Sequence, residues 1–484
     1  MSRTDATSSL AGERHPVDRG IFVGEGQCGW VWAGPERPTL ALGPTRSGKT
    51  SSLIVPNVLS ARGAVVSTST KPDVLELTAP ARRRAGWCFL FDPGGEMHAP
   101  PGVDRVAWSP VTAAASWDGA LSVADSMVRA ARPGRGPRGE LDGHDHWTER
   151  AGALLAPLLQ AAALSGAPMR SVLRWVDRHD GATALDLLVE HAGEDAVSTD
   201  LLAGILATDA REQSGIWSTA SGVLAAYRSD RALASTEGAF LDLDRFCDGP
   251  HTLYICSSGR QQALHAPLVV GMLAQVRDAA YRRAREGVTR PPVLLALDEV
   301  ANIAPLPDLP AVVTEGAGQG LLTLACLQDL SQARARWGAE GEALLSLFGT
   351  SVVLGGIGDV PTLEALSTLA GEHELVSRSV GWTQGGGRRQ TNVTDGSTLR
   401  PRLPPDVVAR AGTGWALVVD STKRMGWIRL TPAHATSPWS DLIALGRERG
   451  RGHPPRRAPG EDRRHAPERA ADEPTRRSGL ELDR

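Results

Sequence analysis

Apolar positions along the chain follow two regimes. Over residues 38–112, and again from 236 onward, short apolar runs alternate with longer segments of helical spacing. The runs are Thr39-Leu-Ala-Leu42, Gly63-Ala-Val-Val66, Trp87-Cys-Phe-Leu-Phe91, Thr252-Leu-Tyr-Ile-Cys256, Val293-Leu-Leu-Ala-Leu297, Leu321 to Leu327 and Ser351-Val-Val-Leu354. Their length is that of buried strands, and Leu264 to Glu286 has the length and spacing of a helix between two of them. Strand, loop, helix, strand predicts an α/β fold, a parallel sheet with helices on both faces. Residues 113–235 differ: Ala and Leu dominate and helical patterns such as His146–Ser165 and Ala182–His191 follow one another. That segment is expected to be an all-α insertion domain.

The same pattern sets the remaining boundaries. Residues 1–37 read as a lead-in with Gly-rich turns, 385–392 as a Gly-rich loop, and 441–484 as a tail without apolar periodicity. Late strands are expected at Trp415–Val419 and Trp427–Leu430. A helix over Lys49–Ala61 carries apolar residues at 53, 54, 58 and 59, with Pro56 expected to kink or end it.

Composition narrows the class. Formal net charge is −3, so any nucleic-acid contact needs a local basic surface. The five cysteines (28, 88, 247, 256, 326) include no C-x-x-C pair, which argues against a zinc site or a disulfide framework and for a reducing cytosol. No apolar run reaches a membrane span of about 20 residues, and the polar start of the chain does not read as a signal peptide.

Lysine occurs only at 49, 71 and 423. One of the three stands in Gly43-Pro44-Thr45-Arg46-Ser47-Gly48-Lys49-Thr50, a complete Walker A pattern followed by Ser51. In such a loop the backbone N–H groups wrap the phosphates of ATP, and the helix that follows adds its positive dipole end. Lys49 is expected to pair with the β- and γ-phosphates and Thr50 to ligate Mg²⁺. The buried run 293–297 ends in Asp298-Glu299. Asp298 is expected to hold Mg²⁺ through water and Glu299 to polarise the attacking water, a pairing that favours an ATPase over a kinase. Gln328, after the run 321–327, is either a γ-phosphate sensor or a solvent-facing amide. Thr70-Lys71-Pro72-Asp73 matches a guanine-reading motif but stands too early in the chain for that role.

Taken together, the motifs resemble the type IV secretion coupling proteins of the TraG/TraD group, within the FtsK/HerA-like motors. The carriers are the Walker A loop with Ile54-Val-Pro-Asn57, Phe91-Asp-Pro93, Trp108-Ser-Pro110 and His146-Trp147. With them stand Leu297-Asp-Glu299, Ala301-Asn-Ile-Ala-Pro-Leu-Pro307, Gly320 to Gln328, Ser331-Gln332 and Trp337-Gly338. The resemblance spans roughly residues 20–435. It implies a RecA-like P-loop domain interrupted by an all-α domain, working as an ATP-driven homo-hexamer on single-stranded DNA that carries a relaxase. It also implies delivery to a type IV secretion channel during conjugation, and it favours the sensor role for Gln328.

Two departures qualify that picture. Many members carry N-terminal transmembrane helices, which this sequence lacks, so a cytoplasmic chain is expected, a chain peripheral at the inner face of the cell membrane, or a partner of a separate membrane subunit. Members also often place an arginine, supplied in trans, before the Gln-bearing strand; here the stretch is Gly316-Ala317-Gly318-Gln319-Gly320. Arg260 and Arg211 are weak substitutes. Arg129, Arg132, Arg135, Arg138 and the pair Arg388-Arg389 are candidate DNA contacts. The alternative function is a nucleotide-dependent adaptor that recruits protein substrates with little turnover.

Overall fold

A computed structural model describes residues 20–131, 143–287, 290–385, 388–420, 422 and 424–449. Residues 1–19, Arg132, Arg135, Arg138 and the tail from 450 lie outside the described residues. Among the described residues there are fourteen strands: β1 (Phe22–Gly26), β2 (Gly29–Trp32), β3 (Thr39–Leu42), β4 (Val65–Ser69), β5 (Cys88–Phe91), β6 (Val103–Arg105), β7 (Thr252–Cys256), β8 (Val293–Leu297), β9 (Leu321–Leu327), β10 (Thr350–Leu354), β11 (Glu372–Gly385), β12 (Arg388–Pro401), β13 (Trp415–Asp420) and β14 (Met425–Arg429).

Twelve of them form one sheet in the order β2-β1-β14-β13-β10-β3-β9-β8-β4-β7-β5-β6. The eight from β10 to β6 are all parallel. The four on the other side, from β13 outward, are antiparallel. Strand residues alternate between two cores. Leu40 and Leu42 face one and Ala41 the other; Leu321, Ala325 and Leu327 face one, Leu322, Leu324 and Cys326 the other. This period of two is why each strand reads as a continuous apolar run: both its faces are buried.

Between β6 and β7 only helices occur among the described residues, and they pack on one face together with the helix Gln262–Arg285. Trp108 marks that junction. Its indole Nε1 donates to Gln275 Oε1 at 2.5 Å. It lies so close to Gly271 that a Cβ there would stand 2.3 Å from the ring. Trp147 locks the helix Gly143–Ser165 to Ala210–Val223 in the same way, across Gly215. The opposite face carries Val55–Ser60, Asp73–Arg82 and Trp439–Arg449.

Several expectations are corrected. The helix after the Walker A loop opens as a π-helical turn over Thr50–Ile54, then continues as an α-helix over Val55–Ser60. Pro56 has no N–H to give to the carbonyl four residues back, and the wider turn accommodates this, with Val55 N–H reaching Thr50 O. The lead-in is not outside the sheet: β1 and β2 extend it through β14. The chain after 440 begins inside the helix Trp439–Arg449, whose Trp439 is buried against Phe22 and Trp30. The expected Gly-rich loop is the end of a long two-stranded ribbon, β11 paired with β12 from Glu372↔Pro401 to Gly385↔Arg388. The five cysteines are free, four of them buried, and among the described residues no helix is long and apolar enough to cross a membrane.

Candidate nucleotide site

Parallel strands align their C-terminal ends, so loops leaving β3, β4, β8 and β9 meet at one edge of the sheet, where ligands of open α/β sheets bind. β3 pairs with β9, and Leu42 stands beside Leu327. The next residue, Gly43, donates its N–H to Leu327 O at 3.1 Å. That bond brings the first glycine of the loop next to Gln328.

The loop Gly43–Thr50 is shaped by its glycines. Gly48 has φ +100°, a conformation open to glycine. A Cβ at Gly43 would meet Leu354 Cβ and Ser47 Oγ, both at 2.9 Å. Arg46, at φ +64°, takes the left-handed region despite its side chain. Ser47 Oγ is buried and has no hydrogen-bond partner. Lys49 is buried, and its ammonium donates to Gly43 O and, at 2.9 Å, to Pro44 O. A buried cation held only on loop carbonyls, beside an unpaired hydroxyl, is a cradle with unspent capacity for an anion. Thr45 and Arg46 lie on the exposed outer turn, and Ser51 Oγ caps back to Gly48 O at 3.3 Å.

Thr50 Oγ1 donates to Asp298 Oδ2 at 2.6 Å, joining two segments 248 residues apart. Asp298 is buried at the end of β8. Its backbone O accepts from Thr68 Oγ1 at 3.0 Å, and its Oδ1 accepts from Glu299 N at 3.1 Å. Burial pushes the Asp298 carboxyl above the usual range, against the pull of the Thr50 hydroxyl and the Lys49 charge. A hydroxyl and a carboxylate converging here are hard oxygen donors of the kind Mg²⁺ takes, few in number, the rest being left to substrate and water.

Glu299 is at φ +53°, strained for a side chain of this size. Two turn bonds to its carbonyl, from Asn302 N at 2.9 Å and Ile303 N at 3.0 Å, hold it there. Asn302 Nδ2 also donates to Glu299 Oε2 at 3.0 Å. Asn302 was visible in the sequence only as part of a motif; its position three residues after the acid, in a turn rather than a helix, hid the contact. Gln328 N–H donates to Gln332 Oε1 at 2.9 Å, so Gln332 fixes the backbone at Gln328.

The other candidates lie elsewhere. Arg260 is exposed on the loop after β7, on the same sheet edge, whereas Arg211 is exposed at the start of a helix in the helical region. Ala317 sits in the turn Gly316–Gln319 before β9, the full length of the strand away from Gln328. It lines a cavity of about 610 Å³ on the opposite edge of the sheet, with Arg62 and Arg290. Arg129 pairs with Asp125 at 3.5 Å on a helix surface. Arg388 and Arg389 stand at the far end of the ribbon. Lys71 follows β4 by two residues, outside the loop set.

A family model for type IV secretory system conjugative DNA transfer matches residues 5–419. Protein VirD4 of Agrobacterium fabrum is 25% identical over 392 residues, 77% of this chain and 56% of VirD4. Conjugal transfer protein TraG of Escherichia coli is 26% identical over 453 residues, 83% of this chain and 66% of TraG. The chain thus spans between about half and two thirds of the length of these relatives. Among solved structures, the plasmid coupling protein TrwB in complex with ADP and Mg²⁺ superposes with a TM-score of 0.62 at 19% identity, covering 88% of this chain and 92% of that one. That likeness shows a shared RecA-like α/β fold.

Proposed function

The chain belongs to the type IV secretory system conjugative DNA transfer family, and on that premise we propose that it is an ATP-hydrolysing motor that delivers DNA to a type IV secretion channel. The observation that carries the reading is the 2.6 Å bond from Thr50 to Asp298, which closes the Walker A loop onto the acid pair at the end of β8. TrwB, of the same fold, is described with ADP and Mg²⁺.

In this reading Gly43–Ser51 cradle the phosphates of ATP, and the Ser47 hydroxyl of the same loop is buried with no hydrogen-bond partner. Thr50 and Asp298 would hold Mg²⁺, which supplies charge neutralisation at the β- and γ-phosphates. Lys49 exchanges the carbonyls of Gly43 and Pro44 for phosphate oxygens, a better partner for a buried ammonium. Glu299 is the general base toward water, oriented by Asn302. Gln328 is joined to the loop through Leu327 O and to the next helix through Gln332, bonds that support a role in relaying the state of the γ-phosphate. The motor domain is assigned to residues 38–112 and 236–440 and the all-α unit to 113–235, a division that the strand-free stretch between β6 and β7 supports.

Single-stranded DNA with its relaxase, a homo-hexameric ring and docking to the channel or to a membrane subunit complete the proposal. The test is ATP hydrolysis with and without DNA at several protein concentrations. Wild type should be stimulated by DNA and rise in specific rate with concentration, whereas Lys49→Ala and Glu299→Gln should lose turnover. A rate indifferent to DNA would favour a second reading, an adaptor that recruits protein substrates with little hydrolysis. Ala317 is the observation behind it, because the family's usual trans arginine is replaced there by a methyl group.

A further inference from the structure

The strand order limits which way a nucleotide held at Gly43–Thr50 can run. Asp298 and Glu299 follow β8 and Gln328 follows β9, so the γ end of the phosphate chain belongs on the β9–β8 side of the loop. On the other side of β3 lie β10 and then β13. β10 runs parallel to β3, and Leu354 at its C-terminal end pairs with Ala416 of the antiparallel β13. Trp415, the first residue of β13, therefore stands on the same edge of the sheet as the loop. Adjacent strands are about 4.8 Å apart, so its backbone lies about 10 Å along that edge from Gly43.

Between the loop and Trp415 the chain is mostly bare backbone. The turn after β10 packs against the loop: a Cβ at Gly356 would come 3.1 Å from Pro44 Cγ, and Gly356 has φ +92°. A Cβ at Gly355 would come 2.1 Å from Ala411 O, so glycine is what lets this turn close on the segment before β13. Gly358 and Gly412 are exposed and Gly414 is half-buried, which continues the shelf toward the tryptophan. Residues 355–358 and 411–415 include no acid, no amide and no cation. Trp415 ends the shelf and is 47% exposed. Taken singly, an exposed aromatic is ordinary surface. At the end of a glycine shelf that starts at the phosphate loop, it is a platform.

We infer that Trp415 is the surface on which the purine base of the bound nucleotide stacks, with the glycine shelf carrying the ribose across from the loop. The inference rests on the reading of Gly43–Thr50 as the phosphate cradle. A ring face beside bare backbone offers stacking and no carboxylate or amide to read a base edge. Selection is therefore by ring area, a bicyclic base over a monocyclic one.

The test is equilibrium binding to the full chain of ATP, CTP and inorganic tripolyphosphate, each with Mg²⁺; the last has the phosphates and no base. Wild type should bind ATP more tightly than CTP. Trp415→Ala should weaken ATP about tenfold, within the range for losing one base–aromatic stack. It should also erase the preference over CTP and leave tripolyphosphate affinity unchanged. Trp415→Phe should keep most of the ATP affinity, whereas Trp415→Leu, apolar but without a ring face, should behave like alanine. Unchanged ATP affinity in Trp415→Ala, equal loss of ATP and tripolyphosphate, or full ATP affinity in Trp415→Leu would overturn the inference. Lys49→Ala separates it from the reading beneath it. That variant should lose both ATP and tripolyphosphate; if it binds both as wild type does, the loop is not the phosphate cradle and both readings fall. ATP binding that depends on Trp415 but leads to no hydrolysis would support the inference and remove the motor reading alone.

Discussion

Replacing Asn57 with leucine tests whether one buried amide ties the outer sheet to the nucleotide loop. β1 pairs with β14 only at Glu25↔Arg429, so the outward groups of Phe22 lack a strand neighbour there. The Asn57 amide takes that place. Its Oδ1 accepts from Phe22 N at 2.7 Å, and its Nδ2 donates to Phe22 O and to Leu53 O, each at 2.8 Å. Leucine has nearly the same shape and keeps the packing, so the loss is three hydrogen bonds. At about 1 kcal/mol each, local stability falls by about 3 kcal/mol. Spread over a chain of this size the melting temperature moves only about 3 °C, so the sharper assay is local. Hydrogen exchange followed by mass spectrometry on peptides covering 20–33 should show protection reduced by about a hundredfold, with peptides of β8 and β9 unchanged. Asn57→Asp gives the sign. It retains an acceptor for Phe22 N but turns a carboxylate toward two carbonyls, which raises its pKa. Its stability is therefore fully present at acid pH and lost as pH rises through that elevated value. Unchanged protection in Asn57→Leu would refute the view that the amide substitutes for a strand.

Asp298→Asn should stabilise the nucleotide-free protein relative to wild type as pH rises above about 4, the ordinary aspartate pKa. Burial raises this carboxyl, so its contribution is fully present at low pH and lost as pH rises through its folded value; denaturation midpoints at several pH values check this, and a constant difference down to pH 3 would contradict it. Asn302→Ala removes one bond to a charged carboxylate and should lower kcat about tenfold, for roughly 1.4 kcal/mol, with KM for ATP little changed. Gly271→Ala should cost about 1–3 kcal/mol, because the added methyl displaces Trp108 from Gln275; urea unfolding followed by tryptophan fluorescence measures it. Arg82 is buried, and its guanidinium serves Thr252 Oγ1 and the carbonyls of Ala61, Gly63, Pro250 and His251. Arg82→Met should therefore cost about 3 kcal/mol or more by leaving those carbonyls unpaired, and a smaller shift in unfolding midpoint would mean water reaches them.

What could be read from the chain alone follows the range of the interactions. Strands β3, β8 and β9 were legible because both faces are buried, which makes composition and length sufficient signals. The candidate site was legible because the Walker A loop is local and Asp298-Glu299 directly ends a buried strand. β1 and β2 were not legible: their Gly and Trp residues read as turns, and what makes them strands is β14, some 400 residues later. The ribbon was missed for a different reason. Its period of two is present in Val376, Val380 and Trp382, but Ser, Thr, Gly and Asn between them read as a loop when no core is available to bury either face. Pro56 misled in the same local way, since a π-turn that absorbs the missing N–H needs Asn57 and β1 to be in place around it.

The same distinction bears on Ala317. In sequence it stands 11 residues before Gln328 and invites comparison with that site. In the fold those residues are the length of β9, so position 317 opens onto the opposite edge of the sheet, beside Arg62 and Arg290. An arginine at 317 could serve a nucleotide only on another copy. Its replacement by alanine leaves this chain's own loop, acids and Gln328 unaltered, and the consequence falls on whatever copy faces that edge. Binding of ATP by a single copy is then expected to be insensitive to Ala317→Arg, whereas turnover in the assembled state should rise. If Ala317→Arg changes nucleotide affinity in dilute protein, the separation of the two edges argued from β9 is wrong.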